Sequence, residues 1–107
     1  MDLYKQDEDK LKLTLVDPEF LEEFTKVLMY GANKYSENSW KYIINSKERT
    51  LNSILRHLLE IRKGDEIDNE SGFPHIAHAA TQCMIYYYHF MKESRNELWS
   101  FCFTTFI

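Results

Sequence analysis

The chain is poor in the residues that constrain small extracellular folds, with two cysteines, three glycines and two prolines among 107 residues. Cys83 and Cys102 stand apart, without the close pairing of a zinc knuckle or the dense spacing of a disulfide framework. This usage favours a reducing compartment. The charged N-terminus carries no apolar stretch of signal-peptide type, and eighteen apolar residues nowhere run together. We therefore expect a cytoplasmic protein that does not interact with a membrane.

The sequence also lacks an excess of positive charge and several well-known catalytic motifs. Thirteen basic against seventeen acidic residues give a net charge of −4, which opposes non-specific attraction to nucleic-acid phosphates. There is no glycine-rich phosphate loop, no HExxH and no Ser-His-Asp order, and Ser71 has no base beside it in sequence. Neither a nucleic-acid partner nor nucleophilic catalysis is expected.

Helical patterns account for most of the chain, and its length suits one domain. Asp17 and Pro18 predict a helix start, and Gly31 predicts its end, so the first helix should span about 18–30. Asn45 and Glu48 resemble a capping box that opens a second helix over about 46–63. A third helix should follow over about 74–92. The sequence thus predicts a small all-α helical bundle, with a flexible arm at 1–10, a helical domain at 11–92 and an aromatic tail at 93–107.

Each predicted helix carries an apolar face that we expect to form the core. These faces comprise Phe20, Phe24, Val27 and Leu28; then Leu51, Ile54, Leu55, Leu58 and Ile61; and finally Ile76, Ala80, Cys83, Met84, Tyr87 and Met91. The third helix is apolar on most sides, and the tail adds Trp99, Phe101, Phe103 and Phe106. Three helices provide too little cover for so much apolar surface, so we expect a homo-oligomer.

Polar side chains form stripes along two of these helices. The third helix carries His75, His78, Gln82 and His89, and the second carries Arg56, His57 and Glu60. If the two helices pack antiparallel, the stripes meet and place imidazole, carboxylate and guanidinium groups together. The alternative is that these groups face solvent or are satisfied by hydrogen bonds in the core, which is the expected role of His89.

The segment between these helices, GDEIDNESGFP, is rich in carboxylates. Asp65, Glu66, Asp68 and Glu70 offer the oxygen ligands that Mg²⁺ or Mn²⁺ prefers, although simple solvation of acidic groups is equally compatible with them. Earlier in the chain, Lys34, Tyr35, Trp40 and Lys41 combine cations with flat rings, which can hold a phosphate and stack on a base. Aromatic rings in such a loop can equally cover the core, and the triplet Tyr86–Tyr88 is interpreted as packing or interface.

Two tracts, YGANKYSENSW and RHLLEIRKGDEIDNESGFPHIAHA, resemble the phage dATP/dGTP diphosphohydrolase-like family, which is related to the MazG pyrophosphohydrolases. The resemblance covers roughly residues 11–90. It implies an all-α, oligomeric protein of the host cytoplasm that cleaves a purine deoxynucleoside triphosphate to monophosphate and pyrophosphate. It also implies a set of candidate ligand-binding residues: Lys34, Tyr35, Trp40, Arg56, His57, Asp68, Glu70, Ser71, His75 and His78.

The sequence departs from the MazG pattern, in which ExxE on one helix and ExxD on another hold magnesium. Glu19 and Glu22 could supply the first motif, although acids near a helix start are also favoured by the helix dipole. No helical ExxD follows, since residues 75–90 contain no carboxylate. Classical metal-assisted hydrolysis is therefore not the only hypothesis.

Three hypotheses remain open at this point. In the enzyme hypothesis, Glu60, Asp68 and Glu70 are catalytic and bind Mg²⁺ or Mn²⁺ together with His57, while Lys34 and Arg56 hold phosphate. In the binding hypothesis, the same pocket needs no metal and sequesters a purine nucleotide or a cyclic nucleotide signal of host immunity, an anti-defence function. In the third, the chain is an oligomeric adaptor joined through its tyrosines and tail, which leaves the ESGFPHIAH tract unexplained.

Overall fold

The computed structural model describes the backbone of residues 9–106 and the side chains of residues 9–95. Within this described backbone there are three helices, α1 (Pro18–Lys34), α2 (Ser46–Arg62) and α3 (His75–Phe106), with 3-10 turns at Leu13–Leu15 and Ser39–Tyr42. Over the described backbone, β-type pairing is confined to one bridge between Ile67 and Pro74. The all-α prediction is confirmed, whereas most of the predicted 1–10 arm lies outside the described residues.

The start of α1 is confirmed and its predicted end is wrong. The Asp17 carboxylate accepts the Phe20 N–H at 3.1 Å, and Pro18 occupies the first turn. Gly31 was expected to adopt a left-handed conformation, but the positive-φ glycines are Gly64 and Gly72. The helix therefore continues through Gly31 to Lys34, one turn further than predicted, and so carries Lys34 on a helix rather than on a loop.

The connection before α2 also differs from the prediction in detail. Asn45 precedes α2 at φ 54° and its side chain makes no capping hydrogen bond, so the predicted capping box does not form. The 3-10 turn at Ser39–Tyr42 lies between α1 and α2, and the 3-10 turn at Leu13–Leu15 lies before α1. At its other end α2 stops beside Gly64, close to the predicted position.

The third helix is longer than predicted and continues from His75 to Phe106. The expected end near residue 92 is wrong because neither glycine nor proline interrupts the chain there. The backbone of the predicted tail is helical as far as Phe106, and its aromatic side chains lie outside the described ones. Among the described residues, no helix combines the length and apolar character needed to cross a membrane.

The helices α2 and α3 pack antiparallel, and α3 also contacts α1. The direction follows from two contacts at opposite ends: Lys47 Nζ lies 3.1 Å from Glu93 Oε2, and His57 Nδ1 lies 2.9 Å from His75 Nδ1. This arrangement confirms that the polar stripes of the two helices meet. The histidines therefore lie at the end of the bundle where the α2–α3 connection closes.

The interior of the single chain is small and partly polar. Its buried apolar residues are Val27, Ala77, Ala79 and Ile85, and its buried polar residues are Ser46, Thr50, His75, Thr81 and His89. The predicted core faces of α2 and α3 point largely outward instead, with Leu51, Leu55 and Tyr87 exposed by 46%, 54% and 62%. The physical reason is that small residues on α3 lie against its neighbours, which lets the helices approach closely and leaves the bulky stripe outside.

The shape of the chain is open, which agrees with the outward direction of the predicted core faces. The radius of gyration is 18.4 Å, whereas a compact chain of this length is expected near about 13 Å. A long α3 and an uncovered apolar surface both contribute to the difference. Among the side chains that the structure describes, much of the apolar surface is not buried within the single chain.

Candidate functional site

A hydrogen-bonded network fixes the α2–α3 connection beside the start of α3. The Asp68 Oδ2 atom accepts the Ser71 N–H at 3.0 Å and lies 2.7 Å from Ser71 Oγ. The same hydroxyl lies 2.6 Å from His78 Nε2 and accepts the Phe73 N–H at 3.2 Å. Burial raises the pKa of the Asp68 carboxyl, but the two hydrogen bonds from Ser71 outweigh it and hold the pKa below its usual value.

Proton counting within this network determines which group donates. Ser71 has one hydroxyl proton, and the ionised Asp68 can only accept, so the hydroxyl donates to Asp68. His78 must then donate from Nε2 to Ser71 Oγ. Sequence inspection found no base beside Ser71, whereas the fold places His78, seven residues later, against it. The proton of Ser71 points away from that imidazole, so Ser71 positions the loop and the ring rather than acting as a nucleophile.

Three imidazoles lie in contact where α2 meets α3. The His57 and His78 rings are stacked, with centroids 4.7 Å apart and an interplanar angle of 5°. On its other side, His57 Nδ1 lies 2.9 Å from Nδ1 of the buried His75. Burial lowers the pKa of His57 and that of His78, and the neighbouring imidazoles lower both further. The neutral form of both rings is therefore favoured, and each neutral ring has one N–H donor and one nitrogen that accepts a hydrogen bond.

An ion pair joins α1 to the acidic connection. Lys34 Nζ lies 2.6 Å from Glu70 Oε1, and the Tyr30 hydroxyl donates to the same oxygen at 3.4 Å. The hydrogen bond between Lys34 and Glu70 raises the pKa of the Lys34 ammonium group and lowers the pKa of the Glu70 carboxyl group. Burial and the charge of Glu70 raise the pKa of Tyr30. The cation and carboxylate predicted as site residues thus neutralise each other.

Aromatic rings line the region around the 3-10 turn. Trp40 meets Tyr88 edge to face at 5.0 Å, and the Trp40 carbonyl oxygen lies 2.8 Å from His89 Nε2, which donates to it. His89 is buried, and this hydrogen bond confirms its expected core role. Tyr35, at the end of α1, is 72% exposed and lies beneath Lys34, whose Nζ is 5.5 Å from the ring centroid. The region therefore presents two flat rings, one anchored against α3 and one largely exposed to solvent.

A cleft of about 1020 Å³ lies between α1, the 3-10 turn, α2 and α3. Eight of the residues predicted from sequence line it: Lys34, Tyr35, Trp40, Arg56, His57, Asp68, Glu70 and His78. Three lie outside its lining, namely Glu60, Ser71 and His75. Tyr30, Arg49 and Gln82 line the cleft although sequence reasoning did not select them as site residues. Arg49 could have been found, because it lies seven residues, or two helical turns, before Arg56.

The cleft is richer in unpaired positive charge than the net charge suggests. Among the described residues, neither Arg49 nor Arg56 forms an ion pair with a carboxylate. By contrast, Glu22 of the proposed first acidic motif and its neighbour Glu23 pair with Lys26 on α1, at 3.7 and 3.9 Å. These glutamates do not line the cleft. Two arginines and several aromatic rings lining one cleft can together bind an anion that carries a flat ring.

The predicted metal ligands are not gathered into one group. Asp68 bonds to Ser71, Glu70 bonds to Lys34, and His57 lies among the other imidazoles. Glu60 belongs to a separate cluster with Asp65 and His75, whose potential ligand atoms lie within 4.8 Å of one another. Asp65 was one of the oxygen ligands considered from the sequence, but it was not grouped with Glu60 and His75, so this combination was missed. The set of Glu60, Asp68, Glu70 and His57 therefore does not fit a single metal ion in this geometry.

Comparison with known proteins agrees with the resemblance carried by the two sequence tracts. A dATP/dGTP diphosphohydrolase of Salmonella phage PMBT28 is 39% identical over 84 residues, which are 78% of this chain and 28% of that protein. The chain thus corresponds to less than a third of that relative's length. No solved structure matches the chain. The sequence model described as dATP/dGTP diphosphohydrolase, N-terminal, matches residues 2–97, and the chain belongs to that family.

Proposed function

We propose that the cleft binds a purine deoxynucleoside triphosphate and that the chain takes part in its hydrolysis to monophosphate and pyrophosphate. The observation that carries the proposal is that Arg49 and Arg56, which form no ion pair with carboxylates among the described residues, line the same cleft as the aromatic rings. The name of the phage relative supports the choice of substrate class and reaction. Because the chain spans 28% of that relative, the activity of the longer protein is itself part of the proposal.

Phosphate binding falls mainly to the arginines. A guanidinium donates two parallel hydrogen bonds to phosphate oxygens and stays charged at any working pH. Lys34 can add a third cation, but its charge is compensated by Glu70 2.6 Å away, so a phosphate must compete with that carboxylate. We therefore assign the larger share of phosphate affinity to Arg49 and Arg56.

The purine ring is assigned to the aromatic wall. Trp40 is held by Tyr88 and His89, while the exposed Tyr35 can turn toward a ligand. Stacking on such rings contributes about 1–3 kcal/mol per base and is tolerant of base identity. This geometry supports purine binding without selecting adenine or guanine.

His78 is the proposed proton acceptor for the attacking water. Its Nε2 donates to Ser71, and its Nδ1 forms no hydrogen bond with the described residues, so a lone pair remains for a water proton. In the proposed reaction, water oxygen forms a bond to the α-phosphorus and the bond from that phosphorus to the pyrophosphate oxygen breaks. Asp68 and Ser71 hold the ring in the required tautomer, and the neutral His57 stacks against it.

The remaining predicted residues enter the proposal with different roles. Glu70 orients Lys34 and Tyr30, and Asp68 acts through Ser71 rather than on substrate. Divalent metal use agrees with a diphosphohydrolase, since a cation offsets the charge that develops on phosphoryl oxygens. The predicted metal ligands Glu60, Asp68, Glu70 and His57 do not fit one ion in this geometry.

The test is product analysis on purified protein with dATP or dGTP, with and without Mg²⁺ or Mn²⁺. We expect the deoxynucleoside monophosphate by chromatography and pyrophosphate by ³¹P NMR, with His78→Gln at least tenfold slower and the exposed-loop control Asn69→Ala unchanged. Unaltered triphosphate recovered from a stable complex would support the sequestration hypothesis, which the comparisons do not support. Absence of both binding and cleavage would contradict the proposal.

We also propose that the chain functions as a homo-oligomer in the host cytoplasm. The stripe Leu51, Leu55, Leu58 and Leu59 on α2 is 39–54% exposed, and a second copy supplies an equally apolar surface by symmetry. Light scattering after size exclusion should report more than one chain per particle. Leu55→Glu should lower the particle mass and the neighbouring control Asn52→Glu should not; a monomeric wild type would contradict this assignment.

A further inference from the structure

A second polar cluster lies outside the cleft, next to the His57–His75 pair. It consists of Glu60 near the end of α2, Asp65 in the connection and His75 at the start of α3. One ligand atom from each residue lies within 4.8 Å of the other two, and none of these residues lines the cleft. The cluster therefore needs an explanation separate from nucleotide binding.

The imidazole of His75 provides the observation that points to a ligand. Its side chain is 6% exposed, and Nε2 is buried without a hydrogen-bond partner among the described residues. The nearest carboxylate oxygen, Asp65 Oδ2, lies 3.7 Å away, beyond hydrogen-bonding distance. A buried polar nitrogen left unpaired is costly and rare, and this one faces two carboxylates.

The opposite edge of the same ring explains how Nε2 could be ready to bind a cation. His75 Nδ1 and His57 Nδ1 are 2.9 Å apart, so one proton must lie between them. With that proton on His75, its Nε2 carries a lone pair directed toward Asp65. A metal-binding histidine has this arrangement, in which the second ring nitrogen donates to an outer partner that fixes the tautomer.

We propose that Glu60, Asp65 and His75 bind a divalent transition-metal ion, and that His57 is the outer partner of the histidine ligand. One imidazole with two carboxylates suits Mn²⁺ or Zn²⁺ better than Mg²⁺, which favours oxygen ligands in strict octahedral geometry. Bonds of about 2.1 Å place ligand atoms roughly 3–4 Å apart, so the two carboxylates must close slightly on the ion. Both can move, because Glu60 is 38% and Asp65 is 45% exposed.

The position of the site gives the ion an indirect connection to the cleft. An ion on His75 Nε2 requires the proton on Nδ1, which donates to His57 and leaves the His57 Nε2–H as a donor in the cleft lining. The ion would thus fix the orientation and tautomer of a cleft residue without touching the nucleotide. Of the metal ligands expected from the sequence, the proposed site keeps Glu60. Asp65 and His75 are its other two ligands.

The site is tested with Mn²⁺ and Zn²⁺ alone, without nucleotide, so its outcome is independent of the proposed hydrolysis. Electron paramagnetic resonance measures free Mn²⁺ during titration, and calorimetry measures Zn²⁺ and Mg²⁺. We expect about one Mn²⁺ per chain, with at least tenfold weaker binding in Asp65→Asn and Glu60→Gln. The adjacent exposed carboxylate gives the matched control, Glu66→Gln, which should bind as wild type does.

Two further variants test the histidines. His75→Gln should abolish saturable Mn²⁺ binding, and His57→Phe should weaken it about tenfold through loss of the outer hydrogen bond. Circular dichroism monitors folding, and the two carboxylate variants decide the question if His75→Gln does not fold. No Mn²⁺ or Zn²⁺ binding by wild type, equal loss in Glu66→Gln, or Mg²⁺ binding as tight as Mn²⁺ binding would each overturn the assignment.

Discussion

The two connections between helices both contribute residues to the cleft lining, but they are held by different means. In residues 63–74, Asp68 N–H donates to Phe73 O at 2.9 Å and Gly72 N–H donates to Asp68 O at 2.7 Å, in addition to the Asp68–Ser71 bonds. In residues 35–45, the turn relies on longer local hydrogen bonds and on Trp40 contacting α3. The first connection is a hydrogen-bonded frame, and the second is an aromatic cover anchored at one residue.

The two connections therefore differ in what they hold: the frame positions the proposed proton acceptor, and the cover provides the base-stacking surface. Proton acceptors need fixed positions, and the frame orients His78 through Ser71 and Asp68. A base-stacking surface can tolerate movement, and the cover has few buried contacts to restrain it. Substitutions in the two connections should therefore change different properties of the protein.

The largest effect is expected from breaking the frame with Asp68→Ala. Removing the carboxylate leaves the N–H and O–H of Ser71 without their acceptor, and hydrogen bonds to charged groups contribute about 1.5–3 kcal/mol. We expect the free energy of unfolding in urea to fall by about 3 kcal/mol. Asn69→Ala, in the same turn, should change it by less than about 0.5 kcal/mol. Equal losses in both variants would show that the network does not hold the connection.

The cover should respond to His89→Ala, which removes the hydrogen bond to the Trp40 carbonyl and leaves a small cavity beneath it. A loss of about 2 kcal/mol in the free energy of unfolding is expected from these two terms. Trp40 should also become more exposed, which a red shift in fluorescence would report. Lys92→Ala, at an exposed position on α3, is the control, and an unshifted emission in His89→Ala would contradict the anchoring role.

Substitution of two glycines by alanine should have opposite effects on the stability of the fold. Gly72 in the frame has φ 79°, whereas Gly31 lies inside α1, and a Cβ at either position meets nothing within 4 Å. Gly72→Ala should cost about 1 kcal/mol through backbone strain, and Gly31→Ala should stabilise by about 0.5–1 kcal/mol. Thermal melts of both variants provide the measurement. Stabilisation by Gly72→Ala would contradict the strained conformation of the frame.

The smallest expected effect is the dependence of stability on pH. The pKa of Asp68 is lower in the folded chain, so its contribution is present above its unfolded value near about 3.9 and is lost as pH falls through the folded value. Urea denaturation between pH 3 and pH 7 should therefore show a shallower acid loss in Asp68→Asn than in wild type. A steeper loss in the variant would reverse the predicted sign.

The fold class, the starts of the helices and the meeting of the polar stripes were predictable, because each depends on local periodicity or on short-range signals such as Asp17 and Pro18. The direction of the apolar faces was not. Periodicity shows that Leu51 and Leu55 share a face, but it does not show whether that face packs within one chain. The small side chains at Ala77 and Ala79 put the polar stripe inside, a tertiary choice that a single-sequence pattern leaves open.

The sequence predicted which residues belong to the candidate site better than it predicted which of them contact one another. Most selected residues line one cleft, since Lys34, Arg56 and His57 combine chemistry with favourable spacing. The pairing of Lys34 with Glu70 spans 36 residues and depends on how α1 packs. The same applies to Asp65, whose role emerged only when the connection brought it beside His75.

Nucleotide binding by the cleft is tested most directly by calorimetric titration of dATP or dGTP in the absence of metal. Lys34→Ala/Arg56→Ala removes two cleft cations, and Lys26→Ala/Arg62→Ala removes the same charge outside the cleft. We predict binding by wild type, a loss of affinity of about 100-fold in the cleft variant and little change in the control. No binding by wild type, or equal losses in both double variants, would contradict a triphosphate site in this cleft.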